Sequence, residues 1–247
     1  MARILVVEHE ADAGIGLVGE RIGRAGAELA VVGPDTGRDV PRSAEGYDGV
    51  VVLGGSPSPS DESVAWFADV RALIRDCLDR EVPLLGICLG AQLLGLVAGG
   101  RTDLLLGGPE VGVCTLRPTA AAAGDPLLGD LPTPTRSLEW HFYEVRELPP
   151  GSTSLVASDR CAHQAFRVGR YAWGLQFHLE ALPYTVEAWS HGEDELLAAS
   201  GLTGSELARQ MQESEPDLRA TWSPVADRWL EVVRGRARAY WTRQRPA

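Results

Sequence analysis

Short segments that are apolar throughout recur in the first half of the chain, and stretches with helical periodicity separate most of them. The apolar segments are residues 4–7, 29–32, 50–53 and 84–87. Each is typical of a strand that is buried on both faces. Residues 14–26 and 64–77 carry apolar side chains three and four positions apart, which predicts amphipathic helices. The order β-α-β-β-α-β-α predicts an α/β fold with a doubly wound, mostly parallel sheet.

The second half of the chain has a different pattern. Residues 101–150 contain short β-like segments at 111–116 and 137–140, joined by loops rich in proline and glycine. The alanine run at residues 120–123 is expected to be a loop. After residue 183 the apolar positions recur with a helical period. The predicted helices are residues 185–190, 202–212 and 224–240.

We therefore expect two parts in the chain: an α/β domain over residues 1–190 and a C-terminal helical extension over residues 191–247. The extension carries Trp222, Trp229 and Trp241, whose exposure to water would be unfavourable. These tryptophans predict that the extension packs on the α/β domain. A surface that docks a partner enzyme is the alternative interpretation.

The fourth apolar segment leads into a cysteine framed by glycines. Residues 86–92 have the sequence Gly-Ile-Cys-Leu-Gly-Ala-Gln, and an apolar, helix-like run follows. A cysteine between a strand and a helix, with glycine two positions away on each side, indicates a nucleophile elbow. The N-terminus of the following helix would favour the thiolate of Cys88 over the thiol. A buried structural cysteine is the alternative, because that is the commonest state of a free cysteine.

A histidine and a glutamate follow a later apolar segment. Residues 174–180 have the sequence Gly-Leu-Gln-Phe-His-Leu-Glu, which we predict to be a strand that ends in polar residues. At the strand period of two, His178 and Glu180 point to the same face. A base with a carboxylate that orients it is what a thiol nucleophile requires. The alternative is a histidine at a strand end with a solvated glutamate beside it.

The third motif joins a strand to a pair of glycines. Residues 50–57 have the sequence Val-Val-Val-Leu-Gly-Gly-Ser-Pro. Such a loop can direct a backbone N–H at an oxyanion, together with the N–H of Leu89, the residue after the cysteine. A simple turn at the end of a strand is the alternative. All three motifs lie at predicted strand ends, where parallel α/β sheets carry their active sites.

In this order and at these spacings, the motifs resemble those of class I, triad-type glutamine amidotransferases. The resemblance covers about residues 1–190 and is greatest to stand-alone proteins similar to the glutaminase domain of GMP synthase. It implies a flavodoxin-like, doubly wound α/β fold. It also implies that Cys88 is the nucleophile, His178 the general base and acid, and Glu180 the group that orients the histidine.

The resemblance further implies an oxyanion hole and a substrate pocket. The backbone amides of Gly55 and Leu89 would form the oxyanion hole, and Gln92 would lie near the α-substituents of glutamine. The loop implied to contact glutamine through its backbone contains Trp140, His141 and Phe142. The chain departs from the family pattern twice. Leu179 replaces the usual proline between His178 and Glu180, and Tyr143 stands where relatives often carry an acidic residue.

The charge and the cysteine content of the chain limit the partners and the cellular setting that we expect. The formal net charge of −11 argues against nucleic acid. The four cysteines show neither metal-ligand spacing nor a dense disulfide pattern, and so favour a reducing, cytoplasmic setting. Neither a signal peptide nor a membrane span is predicted. The run Glu8-His9-Glu10 cannot converge on one ion from a strand, and the expected Cys88–His178–Glu180 chemistry needs neither a metal nor an organic cofactor.

The expected activity is hydrolysis of the γ-amide of glutamine. Because the chain lacks a Gly-x-x-x-x-Gly-Lys nucleotide loop, the ammonia would serve an acceptor on a separate synthetase protein. A γ-glutamyl hydrolase or transferase that acts on small γ-glutamyl amides or peptides is the first alternative. A catalytically idle relative that regulates a partner is the second.

Overall fold

The computed structural model describes residues 1–190 and 195–244, with side chains up to residue 239. The strands are β1 (Arg3–Val7), β2 (Glu28–Val32), β3 (Gly49–Val52), β4 (Leu84–Ile87), β5 (Arg101–Leu104), β6 (Glu110–Pro118), β7 (Thr135–His141), β8 (Tyr143–Glu147), β9 (Thr153–Ala157), β10 (Ala165–Val168) and β11 (Ala172–Leu175). The α-helices are α1 (Gly16–Arg24), α2 (Phe67–Asp79), α3 (Leu89–Val97), α4 (Pro183–Trp189), α5 (Glu195–Ser200) and α6 (Gly204–Gln244). None of these helices is both long and apolar enough to cross a membrane.

Within these residues, one large sheet has the strand order β2-β1-β3-β4-β11-β10-β9-β6-β7. The strands from β2 to β11 in this order are parallel, and those from β10 to β7 continue the sheet as antiparallel neighbours. Strands β5 and β8 form a separate antiparallel pair. The predicted doubly wound α/β fold is confirmed, and the antiparallel half accounts for the β-like segments of residues 101–150.

Alternate residues of the parallel strands face two separate layers of the core. Ile4 and Val6 pack in the layer that contains the buried faces of α1 and α6. Leu5 and Val7 pack in the opposite layer, with α2 and α3. Strands covered on both faces must be apolar on both faces, which explains the apolar segments in the sequence.

Helix α6 approaches the sheet closely. A Cβ atom added at Gly49 would lie 2.8 Å from Val233 and 3.1 Å from Trp229, so only glycine leaves room for the helix there. Trp222 and Trp229 are buried, as predicted, and the indole N–H of Trp222 donates to the carbonyl of Arg136 at 3.0 Å. The side chain of Trp241 lies outside the described residues, and the division at residue 190 stays a prediction.

Three predicted elements need correction. The two C-terminal helices predicted at 202–212 and 224–240 are one helix, α6, which runs through Pro216 and Pro224. Its buried face continues across both prolines, so packing outweighs the unfavourable effect of proline within a helix. The alanine run forms a short 3-10 helix, Ala120–Gly124, instead of a loop. The strand predicted over residues 174–180 ends at Leu175.

Candidate active site

Cys88 lies at a sharp turn between β4 and α3. Its φ of +50° and ψ of −108° are unusual for a residue with a side chain and indicate local strain. A Cβ atom at Gly86 would lie 2.6 Å from the carbonyl oxygen of Gly90, and one at Gly90 would lie 2.1 Å from that of Val52. Both positions therefore require glycine. This is the backbone geometry that the glycine frame predicted.

Backbone groups from two other strands hold the cysteine. The N–H of Cys88 donates to the carbonyl of Leu175 in β11 at 2.8 Å, and its thiol donates to the carbonyl of Trp140 in β7 at 3.8 Å. The side chain is buried, and it is free of any disulfide. The thiol thus lies at the carboxyl edge of the parallel strands, at the N-terminus of α3.

His178 and Glu180 form a buried pair after β11. The Nδ1 atom of His178 lies 2.7 Å from Oε1 of Glu180, and the backbone N–H of His178 donates to the carbonyl of Leu138. A Cβ atom at Gly54 would lie 3.0 Å from Cε1 of His178 and 3.4 Å from Cβ of Cys88, so the ring and the cysteine are neighbours beside this glycine. The pair follows the strand instead of belonging to it, but the side chains still meet.

The charge state of His178 reflects its neighbours. Burial lowers the pKa of the imidazole, but the negative charges of Glu180 and of a Cys88 thiolate outweigh this and raise the pKa of His178 well above its ordinary value. Because Nδ1 contacts the carboxylate, Nε2 is the nitrogen left for proton transfer, and it has no hydrogen-bond partner among the described residues. Leu179, in place of the family's proline, is buried in the hydrophobic core.

A pocket of about 250 Å³ opens onto the cysteine. This volume lies below the range for drug-sized ligands and suits a small molecule. The predicted site residues that line it are Gly55, Cys88, Gln92, Trp140, His141, Phe142 and His178. Glu180 lies behind His178, and Leu89 is buried at the start of α3. The fold thus brings the predicted residues to one place.

The two residues predicted to supply the oxyanion amides, Gly55 and Leu89, are close neighbours. Leu89 is the first residue of α3, where a backbone N–H has no acceptor within the helix. A Cβ atom at Gly55 would lie 3.2 Å from Cδ2 of Leu89 and 2.8 Å from Cβ of His9. The carboxylate of Glu10 accepts hydrogen bonds from the N–H and the hydroxyl of Ser56, at 2.9 and 3.1 Å, and so holds the glycine loop.

The sequence interpretation did not include several residues of this pocket. Trp189 of α4 stacks edge-on against His178, with 4.8 Å between ring centroids, and also contacts the ring of Trp140. Glu10 and Tyr143 also line the pocket. Glu10 comes three positions after the end of β1, and this position at a strand end is the signal in the sequence that could have found it. No motif around Trp189 marks it in the sequence as a residue of the pocket.

The backbone of residues 140–143 forms one wall of the pocket. The carboxamide of Gln92 donates to the carbonyl of Tyr143 at 3.0 Å and to Oε1 of Gln176 at 3.1 Å. The Nδ1 atom of His141 lies 2.8 Å from the same Tyr143 carbonyl. Gln92 and His141 therefore support this wall in addition to lining the pocket, and their predicted contacts with a substrate stay a prediction.

Three buried side chains meet behind this wall. The Nε2 atom of His141 lies 3.1 Å from Oε2 of Glu139 and 3.5 Å from Oε2 of Glu110. Their ligand atoms are close enough to one another to hold a metal ion, and this is the group among the described residues with that geometry. His9, in contrast, accepts a hydrogen bond from the indole of Trp66 at Nδ1, and burial lowers the pKa of His9 to about 4.

These buried histidines make stability depend on pH. Burial lowers the pKa of His141, but hydrogen bonds to Glu110 and Glu139 outweigh it and raise that pKa to about 10. The pKa of His178 is also raised. A raised folded-state pKa stabilises the protein fully below the unfolded value of about 6.5, and the contribution is lost as pH rises through the folded value.

We therefore expect the free energy of unfolding to fall between about pH 7 and pH 9, with a slope of about 1.4 kcal/mol per pH unit for each proton that the folded state retains. Urea unfolding at several pH values measures it. His141→Gln removes the proton that the His141 ring retains and should show a smaller slope. A free energy that stays constant over this range would contradict the assignment.

The cysteine lies at a strained elbow of an α/β sheet, beside a buried His–Glu pair and a small pocket at the carboxyl edge. These features place the protein among the α/β proteins that carry a nucleophile elbow. The sequence model of the family Glutamine amidotransferase class-I matches residues 12–188. The chain belongs to this family.

Similar proteins and a similar crystal structure are consistent with membership of this family. One subunit of the glutamine-hydrolysing GMP synthase of Natronomonas pharaonis is 31% identical over 181 residues, which are 73% of this chain and 89% of that protein. Gamma-glutamyl peptidase 3 of Arabidopsis thaliana is 27% identical over 194 residues, 75% of each chain. The crystal structure of a glutamine amidotransferase from Thermotoga maritima matches with a TM-score of 0.83 at 25% identity, covering 93% of this chain and 98% of that one.

Proposed function

We propose that the protein hydrolyses the γ-carboxamide of glutamine through a thioester on Cys88 and supplies the ammonia to a separate acceptor enzyme. The observation that carries the proposal is the meeting of Cys88, at its strained elbow, with the His178–Glu180 pair across Gly54. This arrangement places a nucleophile beside a base whose orientation a carboxylate fixes. Membership of the glutamine amidotransferase family supports the substrate.

In the first half of the reaction, the Cys88 thiolate attacks the γ-carbon of glutamine and the carbonyl electron pair moves to oxygen. The amides of Gly55 and Leu89 stabilise this oxyanion, and each donor is worth about 3 kcal/mol, or a factor of 10² or more in rate. As the C–N bond breaks, Nε2 of His178 gives its proton to the departing nitrogen. Ammonia leaves, and a γ-glutamyl thioester remains.

In the second half, His178 takes a proton from water as the water oxygen adds to the thioester carbon. The tetrahedral intermediate again places its negative charge at the oxyanion site. The C–S bond then breaks, which releases glutamate and restores the thiolate and the imidazolium. Glu180 keeps its contact with Nδ1 throughout and stabilises the positive charge on the ring.

The name of one relative supports a separate acceptor. The similar protein of Natronomonas pharaonis is named as one subunit of a GMP synthase. The present chain has no Gly-x-x-x-x-Gly-Lys loop for nucleotide phosphates. A glutaminase of this kind would work with a second protein that consumes the ammonia.

A γ-glutamyl hydrolase or transferase is the second candidate, and the similarity to gamma-glutamyl peptidase 3 favours it. The same thioester chemistry would then release an amine or a peptide instead of ammonia. The pocket wall formed by the rings of Trp140 and Trp189 would contact the leaving group. The two candidate functions share Cys88, His178 and Glu180 and differ only in the leaving group.

A release assay separates the candidates. Purified protein is incubated with glutamine and, in parallel, with a set of γ-glutamyl amides and dipeptides, with Cys88→Ser as the inactive control. Ammonia from glutamine supports the amidotransferase, and glutamate from the other compounds alone supports the hydrolase. Turnover of neither, with or without co-purifying proteins, would favour the catalytically idle relative and contradict both proposals.

The amidotransferase proposal predicts low activity in isolation. Residues 54–59, Gly-Gly-Ser-Pro-Ser-Pro, carry one oxyanion amide, and a donor misplaced by about 1 Å can lower the rate on the order of 10²-fold. Docking of a partner would align the loop. We expect added partner to raise kcat more than it lowers KM, measured as ammonia release at several glutamine concentrations. High kcat in the isolated chain, unchanged by any partner, would contradict this prediction.

A further inference from the structure

The loop between β3 and α2 begins at the carboxyl edge of the sheet and carries Gly55, one of the two residues predicted to supply an oxyanion amide. This loop runs over residues 53–66, and two adjacent residues that follow β1 contact it. The carboxylate of Glu10 accepts hydrogen bonds from Ser56 at an exposed position. His9, in contrast, is buried. Neither half of the proposed reaction uses this histidine.

The side chain of His9 lies against both ends of the loop. At the first end, a Cβ atom added at Gly55 would lie 2.8 Å from Cβ and 3.4 Å from Cγ of His9. At the other end, the indole N–H of Trp66 donates to Nδ1 of His9 at 2.9 Å. Phe67, the first residue of α2, packs edge-on against the ring, with 5.7 Å between ring centroids. One side chain therefore relates the positions of Gly55 and Trp66.

The hydrogen bond from Trp66 determines the state of the ring. An indole N–H can only donate, so Nδ1 of His9 is the acceptor and the neutral ring carries its proton on Nε2. Burial lowers the pKa of His9 to about 4, which agrees with a neutral ring near pH 7. Nε2 has no hydrogen-bond partner among the described residues. Because a buried N–H without a partner is unfavourable, the bond at Nδ1 is the polar contact that favours histidine at this position.

Packing, and not hydrogen bonding, holds the proposed oxyanion donor. In the part of the chain that the structure describes, neither Gly54 nor Gly55 forms a backbone hydrogen bond, so the N–H of Gly55 is free for a ligand. The side chains packed against Gly55 are those of His9 and Leu89. A donor misplaced by about 1 Å lowers the rate on the order of 10²-fold. The position of His9 therefore matters for the rate.

We propose that His9 is a positioning residue that, through its hydrogen bond with Trp66, fixes the Gly55 amide where it stabilises the oxyanion. The inference rests on the proposed function, because the oxyanion forms only when Cys88 attacks a carbonyl. His9 restrains the two ends of the loop and leaves the tip of the loop for the contact with a partner. It takes no part in proton transfer, since the indole occupies its accepting nitrogen.

Substitutions of the two partners separate this role from simple packing. His9→Leu keeps an apolar side chain in the space but removes the acceptor, and Trp66→Phe keeps an aromatic ring but removes the donor. His9→Asn keeps an acceptor near the place of Nδ1. Cys77→Ala is the matched control, because Cys77 is buried in the same core layer near the opposite end of α2. Trp66 is only half-buried, so Trp66→Phe decides the question should His9→Leu fail to fold.

The kinetic readout is the division of the effect between kcat and KM for glutamine hydrolysis. We expect His9→Leu and Trp66→Phe to lower kcat by about 10- to 100-fold relative to the native protein under the same conditions, with KM within about threefold. His9→Asn should retain more activity than His9→Leu, and Cys77→Ala should keep native kinetics. Native kcat in both His9→Leu and Trp66→Phe, or an equal loss in Cys77→Ala, would overturn the proposal.

A binding experiment compares the tetrahedral state with the ground state and needs no turnover. An aldehyde analogue of glutamine adds the S–H of Cys88 across its C=O bond, and the hemithioacetal places an oxygen at the oxyanion site. Glutamine bound in a Cys88→Ala background forms no such oxygen. We expect His9→Leu and Trp66→Phe to weaken aldehyde binding by about 10-fold or more and to leave glutamine binding unchanged. Equal weakening of both ligands would indicate a merely structural role and contradict the proposal.

The loop itself can be observed without any ligand. NMR of glycine-labelled protein reports the amides of Gly54 and Gly55, which should broaden through slow motion of the loop in His9→Leu and Trp66→Phe and stay native in Cys77→Ala. Native line widths in both of the first two variants would refute the role of His9. If the native protein binds and hydrolyses no glutamyl compound, the proposed function fails, while these resonances still decide whether His9 and Trp66 hold the loop.

Discussion

Replacement of Cys88 by serine or alanine is expected to abolish turnover, with a loss of about 10⁴-fold or more, while the fold stays intact. Serine is nearly isosteric with cysteine, but its hydroxyl is a far weaker nucleophile than a thiolate. The glycine frame, which sets the elbow, is unchanged by this substitution. Steady-state kinetics on glutamine and on γ-glutamyl amides measure the loss. A melting temperature within about 4 °C of the native value shows that the fold survives.

The matching chemical test is selective labelling. A glutamine-analogue electrophile should modify Cys88 and none of the other cysteines. Burial raises the pKa of Cys77 and of Cys114 to about 12 and raises the pKa of Cys161 further above its ordinary range, so these thiols stay protonated. Mass spectrometry of peptides locates the label. Modification spread evenly over all four cysteines would remove the case for an activated thiol at the elbow.

His178→Ala is expected to lower kcat by about 10³-fold or more, and Glu180→Gln is expected to lower it less. In the proposed mechanism the imidazole carries the proton in both halves of the reaction, and alanine has no group that can do so. A glutamine side chain can still accept a hydrogen bond from Nδ1 and so keep part of the orientation. Rates of both variants on the same substrate, with circular dichroism to monitor folding, test the order.

The result that would contradict this assignment is near-normal turnover in His178→Ala. His141 and His9 would then be the next candidates for the base. The structure makes them poor ones: Nδ1 of His9 is occupied by Trp66, and His141 is enclosed by two carboxylates. A double variant, His178→Ala with His141→Gln, would show whether any residual rate depends on the second histidine.

The parallel half of the sheet was predictable because each strand is covered on both faces, which forces an apolar segment that is easy to recognise. The elbow was predictable for a similar reason, since Gly86 and Gly90 are positions where any side chain would collide with backbone. The antiparallel half was only outlined, because its strands are partly exposed and irregular, as the residues of β5 illustrate.

Long-range contacts account for the features of the fold and of the site that could not be predicted from the sequence. The sequence predicts two helices, 202–212 and 224–240, where the structure has one, because a continuous buried face carries α6 across Pro216 and Pro224. Trp189 reaches the pocket through the packing of α4, which no local motif encodes. His141 lies beside Glu110, 31 positions earlier, because pairing across β6 and β7 brings the two together.

The parallel and antiparallel halves of the sheet contribute different things to the pocket. The cysteine follows β4 and the histidine follows β11, two neighbouring parallel strands that the Cys88–Leu175 hydrogen bond fastens together. Much of the surface that surrounds a ligand comes from β7, from the turn after it and from α4, and residues after β1 and β3 complete it. Most of the surrounding surface is therefore encoded outside the two stretches of chain that carry the reacting atoms. Substitutions in the surrounding surfaces can change which molecule is accepted while the reacting atoms keep their places, so one scaffold can diversify its substrates without rebuilding its chemistry.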